Sequence, residues 1–129
     1  MSARAHLSRR RAVVALAATA IAAGGTAACG PPPPQAPVAA ASSISTALQT
    51  IASACGQSYR RHAFDPHGDV STLEKMASSS AATLGRLSHK HPEWIYQSKT
   101  LLQLDGMSAE DLRECGLSRS ADVLWRSSR

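Results

Sequence analysis

Residues 43–59 read SISTALQTIASACGQSY, and the spacing of their apolar side chains decides the fold class. Ile44, Leu48, Ile51, Cys55 and Tyr59 recur at intervals of four, three, four and four, the period that lines one face of an α-helix. A half-buried strand would need strict alternation instead. The stretch therefore predicts a helix with Cys55 on its buried stripe. Gly56 weakens that helix, and Asp65-Pro66 with His67-Gly68-Asp69 marks the turn that follows.

The chain downstream repeats the helical pattern. Ser71-Thr72-Leu73-Glu74 has the spacing of a capping box and predicts a second helix, with Leu73, Met76, Ala77, Leu84 and Leu87 facing inward. Ser78, Ser79, Ser80 and Gly85 give that helix poor propensity, so packing must hold it. His91-Pro92-Glu93 reads as the start of a third helix carrying Trp94, Ile95, Leu101, Leu102 and Leu104 and ending at Asp105-Gly106. A short strand at Trp94-Ile95-Tyr96 is the competing reading. Met107-Ser108-Ala109-Glu110-Asp111-Leu112 carries a second start signal, with Ser108 as cap, Asp111 answering it and Met107 stapling onto Leu112. Gly116 and Leu117 then supply a left-handed stop and its hydrophobic contact. Ser118 or Ser120 opens a final short helix with Val123, Leu124 and Trp125. With so few aromatics in the chain, Trp94 and Trp125 are assigned to the core. The fold class expected for residues 42–129 is all-α, a small bundle of four to five short helices.

Upstream the composition changes. Arg4, Arg9, Arg10 and Arg11 precede an uncharged, alanine-rich run from Ala12 to Ala23, with no acidic residue among them. A basic end followed by an apolar run too short to span a bilayer comfortably reads as a cleaved export signal over residues 1–28. The run closes on Thr26-Ala27-Ala28-Cys29. This tetrapeptide resembles the lipobox of bacterial lipoproteins, in which small residues precede a cysteine that receives a diacylglyceryl group and becomes the new N-terminus. Thr26 departs from the aliphatic residue usual there. Ser8-Arg9-Arg10 is similar to the twin-arginine export motif, with Ala12 and Val13 departing from it, so the route, general secretory or twin-arginine, stays open. The resemblance implies a lipid-modified Cys29, a protein at the outer face of the cell membrane, and the membrane itself as partner. A plainly secreted product is the alternative. Pro31 to Pro34 and Pro37 exclude a helix or sheet interior, which makes residues 29–41 a disordered Pro/Ala-rich tether.

Charge and cysteine count follow from that leader. The chain has 14 basic and 9 acidic residues, a net charge of +5. Four of the basic residues leave with the leader, and ten against nine gives +1. The basic balance thus carries no inference to nucleic acid. Three cysteines are an odd number for an exported chain. With Cys29 lipidated, Cys55 and Cys115 remain and pair outside the cytoplasm, the competing reading being two separate buried thiols.

Chemistry-bearing side chains gather only at His62, Asp65, His67 and Asp69, with His89 and His91 further on. Such nitrogen and oxygen donors suit zinc or another divalent ion, although their spacing matches no established site and a solvated polar turn explains them equally. No serine sits in a Gly-x-Ser-x-Gly elbow, and no glycine-rich phosphate loop is present. The expected role is non-enzymatic: a membrane-anchored lipoprotein of the cell envelope that binds an envelope partner or supports structure, with no cofactor beyond the lipid. The alternatives are a metal-binding module built on the His62 to Asp69 turn and a small secreted hydrolase.

Overall fold

The structure of the protein, a computed structural model, describes Pro34–Arg129. The leader, Cys29 and most of the proline run lie outside the described residues. Four helices and one small hairpin follow in order: α1 (Val38–Phe64), α2 (Ser71–Lys90), β1 (Ile95–Tyr96), β2 (Lys99–Thr100), α3 (Leu101–Glu114) and α4 (Ser118–Ser127). The helical class holds. The compact unit begins at Pro34 rather than at residue 42.

α1 buries Ile44, Ala47, Ile51, Ala54, Cys55 and Ser58. Tyr59 turns outward, 55% exposed, because the period of 3.6 carries the stripe to Ser58 after Cys55. Gly56 does not end the helix: it runs to Phe64, where Asp65 and Pro66 stop it. At 27 residues and a mean hydropathy of 1.2 over its best window, α1 is long and apolar enough to cross a membrane by length and composition. Its Ile44-Ile51-Cys55 face is instead packed within the bundle.

α2 begins at Ser71 as expected, but through a different device. Asp69 accepts hydrogen bonds from Ser71 N (2.9 Å) and Ser71 Oγ (3.1 Å), while Glu74 points away to α4. Leu73, Ala77, Ala81, Leu84, Gly85 and Ser88 face the core, and Met76, expected there, is 36% exposed.

The stretch His91-Pro92-Glu93 is not a helix start. His91 closes α2 by donating its N–H to Leu87 O (2.8 Å), and the competing strand reading is the correct one. Ile95 pairs with Thr100 and Tyr96 with Lys99, antiparallel. Gln97 and Ser98 form the two-residue turn with φ of 48° and 67°, the conformation that matches strand twist in tight hairpins. The chain entering the fold adds a third short segment. Ile95 N donates to Pro34 O (2.8 Å) and Ala36 N to Ile95 O (2.9 Å), so Gln35 bridges Ile95 in parallel. Residues 34–37 are therefore part of the fold, and residues 38–41 are helical, not tether.

α3 is one helix where the sequence suggested two. Thr100 Oγ1 accepts from Gln103 N (3.1 Å) and Gln103 Oε1 accepts from Thr100 N (2.9 Å), a complete capping box just ahead of Leu101. The helix then runs through Gly106 and Ser108, and the Ser108 to Asp111 signal lies unused inside it. The reason is the buried face: Leu101, Leu104, Asp105, Ser108, Ala109 and Leu112 keep one helical phase across the presumed break. At the other end Gly116, with φ +86°, donates to Arg113 O, and Leu117 N donates to Leu112 O (2.8 Å). This is the expected left-handed stop, and Leu117 is fully buried in it.

α2 packs between α1 and α4, and α3 lies against α4. The core is mostly leucine and alanine, and no aromatic side chain among the described residues is fully buried. Trp94 is half-buried and stacks on His91 at 3.7 Å; Trp125 is 51% exposed, with the Arg129 guanidinium 3.3 Å over its ring. The core role expected of Trp125 is thus overturned: at its position on α4 the neighbouring Leu124 takes the inward direction. Cys55 and Cys115 are joined in a disulfide that ties α1 to the end of α3, with Cα atoms 5.3 Å apart, inside the usual range.

Candidate functional site

The residues first considered for metal do not converge. Asp65 accepts from His67 N at 3.0 Å within its own turn. Asp69 serves α2, and the Ser71 backbone N–H, then the Ser71 hydroxyl, hold its carboxyl below the usual value. His62 turns the other way, its Nδ1 3.4 Å from Ser58 Oγ and its ring against Gly116. Among the described residues no three His, Cys, Asp or Glu side chains come together as a metal cluster, His89 and His91 included. The Ser58–His62 pair is not a nucleophile and base either. Ser58 is fully buried and its hydroxyl donates to Cys115 O at 2.6 Å, where it satisfies a carbonyl at the end of α3.

A different place combines a cavity with a costly buried group. α3 presents Leu102, Asp105, Gly106, Ala109 and Arg113 along one side, spaced so that they share a face. Opposite them stand Leu124 and Trp125 of α4, followed by Ser128 and Arg129. The groove between the two helices encloses about 260 Å³. Gly106 leaves the α3 side open: it is exposed, and a Cβ added there would meet nothing within 4 Å. The walls are mainly apolar, and Leu102 (62% exposed) and Trp125 form the lips. A broader hollow of about 580 Å³ on the other side of Gly106 is lined by exposed side chains such as Gln103, Met107 and Glu110 and contains no buried polar group.

Asp105 is one of the residues lining the groove; it is only 6% exposed, and both of its carboxylate oxygens are closed off from solvent. Neither carboxylate oxygen is hydrogen-bonded by a group of the described chain, and the Ser88 hydroxyl beside it is equally unbonded. Burial drives its carboxyl up to about 6, with the nearby Ser88 and Ser128 hydroxyls pulling it partly back. Ser128 Oγ also lies 3.0 Å from Trp125 O, so its one proton is shared between that carbonyl and the carboxylate. Among the described residues no cationic side chain pairs with it, and Arg113 and Arg129 stand exposed at the rim.

Reasoning from the sequence missed this site because Asp105-Gly106 looks like a helix end. In a turn both residues are ordinary; inside a helix, an acid on the core face beside a glycine that opens space is not. The surviving signal was the phase itself, since Leu101, Leu104, Asp105, Ser108 and Leu112 fit one uninterrupted helix. No family model, no curated protein and no solved structure matches this chain.

Proposed function

We propose that the protein is an exported lipoprotein, cut before Cys29, lipidated on that residue and held at the outer face of the cell membrane, where its helical domain has a non-enzymatic binding or structural role. The observation that carries the reading is the use of the cysteines. With Cys55 and Cys115 joined, Cys29 is the one cysteine of three left over, and it sits at the end of Thr26-Ala27-Ala28-Cys29 behind a basic and apolar leader. A disulfide also fits an oxidising compartment. Two acyl chains on one residue suffice for stable anchoring.

The chain is already engaged in the fold at Pro34, whose carbonyl accepts from Ile95 N. Five backbone steps separate Cys29 from Pro34, a reach of roughly 18 Å at full extension. The domain would then lie at the membrane surface, closer than a tether running to residue 41 would place it. The binding role is assigned to the α3–α4 groove, with a small molecule or an envelope protein as partner and nucleic acid excluded by the near-neutral charge of the mature chain.

The test is fractionation and mass. The parent chain is expected in the membrane fraction with the mass of a diacylglyceryl adduct on Cys29, and Cys29→Ala is expected to leave that fraction and lose the adduct. A Cys29→Ala chain that stays with the membrane, processed as before, would overturn the assignment.

A further inference from the structure

We propose that the α3–α4 groove binds a small molecule with an apolar body and a primary ammonium group, the ammonium pairing with Asp105 and the body lying along Leu102, Ala109, Leu124 and Trp125. This deepens the binding role given above by naming the ligand's chemistry, and it stands or falls independently of Cys29.

Three observations lead there. Asp105, which lines the groove, is only 6% exposed; both carboxylate oxygens are closed off from solvent without a hydrogen bond from the described chain, with the Ser88 and Ser128 hydroxyls as their polar neighbours. Leaving such a group unpaired is costly, and that cost is removed by a counter-charge with N–H donors. An ammonium offers three such donors, enough for both oxygens of Asp105 and for the unbonded Ser88 Oγ as an acceptor beside them. The volume, about 260 Å³, limits the ligand to roughly ten non-hydrogen atoms, since a cavity of about 150 Å³ holds benzene, and the apolar walls require that most of them be carbon.

The rim arginines do not reverse this choice. Arg113 and Arg129 are exposed, so water and salt screen them, and Arg129 is held over the Trp125 ring. Asp105 acts where screening is weakest. The entry step is a shift of Ser128, which follows the last residue of α4 and is tied back by Ser128 N to Leu124 O (3.1 Å) and by its hydroxyl to Trp125 O. Pairing requires such a movement, because both carboxylate oxygens are closed off from solvent and Ser128 is their neighbour on the lining of the groove.

The experiment titrates the full chain carrying Cys29→Ser, disulfide intact, with three probes of one shape: n-butylammonium, n-butanol and butyrate. Calorimetry gives the affinity, and amide shifts at Gly106 and Ala109 give the place. The expected result is saturable binding of butylammonium at least tenfold tighter than butanol, with butyrate weakest. Asp105→Asn, which keeps the side-chain shape, should bring butylammonium down to the level of butanol. Gly106→Leu, which adds an apolar side chain to the α3 side of the groove without a clash at its Cβ, should weaken binding of both. The proposal is overturned if butylammonium does not saturate, if butyrate binds best, if Asp105→Asn leaves the ammonium preference intact, or if Gly106→Leu does not weaken binding. Should Asp105→Asn fail to fold, the probe series on the parent and Gly106→Leu still decides it.

Discussion

A Cβ built on Gly106 meets nothing, whereas one on Gly85 would lie 2.5 Å from Ser127 Cβ and 3.0 Å from Leu124 O. Both glycines are in helix interiors, and the same substitution should therefore have opposite signs. Gly106→Ala is expected to stabilise the fold by about 0.5–1 kcal/mol through helix propensity and a less flexible unfolded chain. Gly85→Ala should destabilise it by about 2 kcal/mol, because backbone and Cβ atoms of α4 would have to move. Urea unfolding with the disulfide intact measures both. Asp105 offers a second test at this scale. Its carboxyl is raised to about 6 from an ordinary 3.8, so between those values the folded chain holds the proton more tightly than the unfolded one. Stability on this account is greatest below about pH 4 and falls as pH rises through 6. The whole shift corresponds to ~3 kcal/mol, which relaxation of the surrounding chain around the charge reduces to about 1–2 kcal/mol. Asp105→Asn should gain that amount at neutral pH and lose the fall between pH 4 and 6; unfolding curves across that range would show no difference from the parent if the carboxyl titrated normally.

At the scale of elements, α4 depends on a residue of α2. The Glu74 carboxylate accepts from Ser120 N (2.9 Å), Arg119 N (3.4 Å) and Ser120 Oγ (2.6 Å), so it caps the first turn of a helix of 10 residues too short to form alone. Its charge also suits the positive ends of both helices. Glu74→Ala is expected to cost about 2 kcal/mol and Glu74→Gln about 1 kcal/mol, since the amide keeps one acceptor. Hydrogen exchange should locate the loss, with α4 amides exchanging faster than those of α1. The Ser-x-x-Glu spacing that suggested a local capping box was present, but the carboxylate served a helix 45 residues away. Local spacing locates a helix start without assigning every partner of its side chains.

For the molecule as a whole, the core is thin: leucines, isoleucines and alanines, with every aromatic at the margin or outside. Closing 60 residues between Cys55 and Cys115 contributes up to ~4 kcal/mol in the chain-entropy account, a large share of the total for a domain of this size. A chain with both cysteines replaced by alanine should lose about 2–4 kcal/mol and unfold at correspondingly lower urea. A midpoint unchanged from the oxidised parent would show that the cross-link adds nothing.

The sequence by itself determined the helical class, the turn at Asp65-Pro66, the start of α2 and the stop at Gly116-Leu117, and it offered Cys55 and Cys115 as a pair while leaving two separate thiols open, a choice the structure made. The first four are set by periodicity and by backbone restrictions of proline and glycine, all of which act locally. Only the tertiary structure decided that residues 34–36 add a strand-like segment beside Ile95, that α3 runs through Gly106, that Trp125 stays outside and that Asp105 is buried without a partner. Each of those depends on which surfaces other elements cover. A start signal inside α3 is outweighed once a continuous apolar face has a partner to bury it, and an acid in that face gains its chemistry only from the helices that close over it.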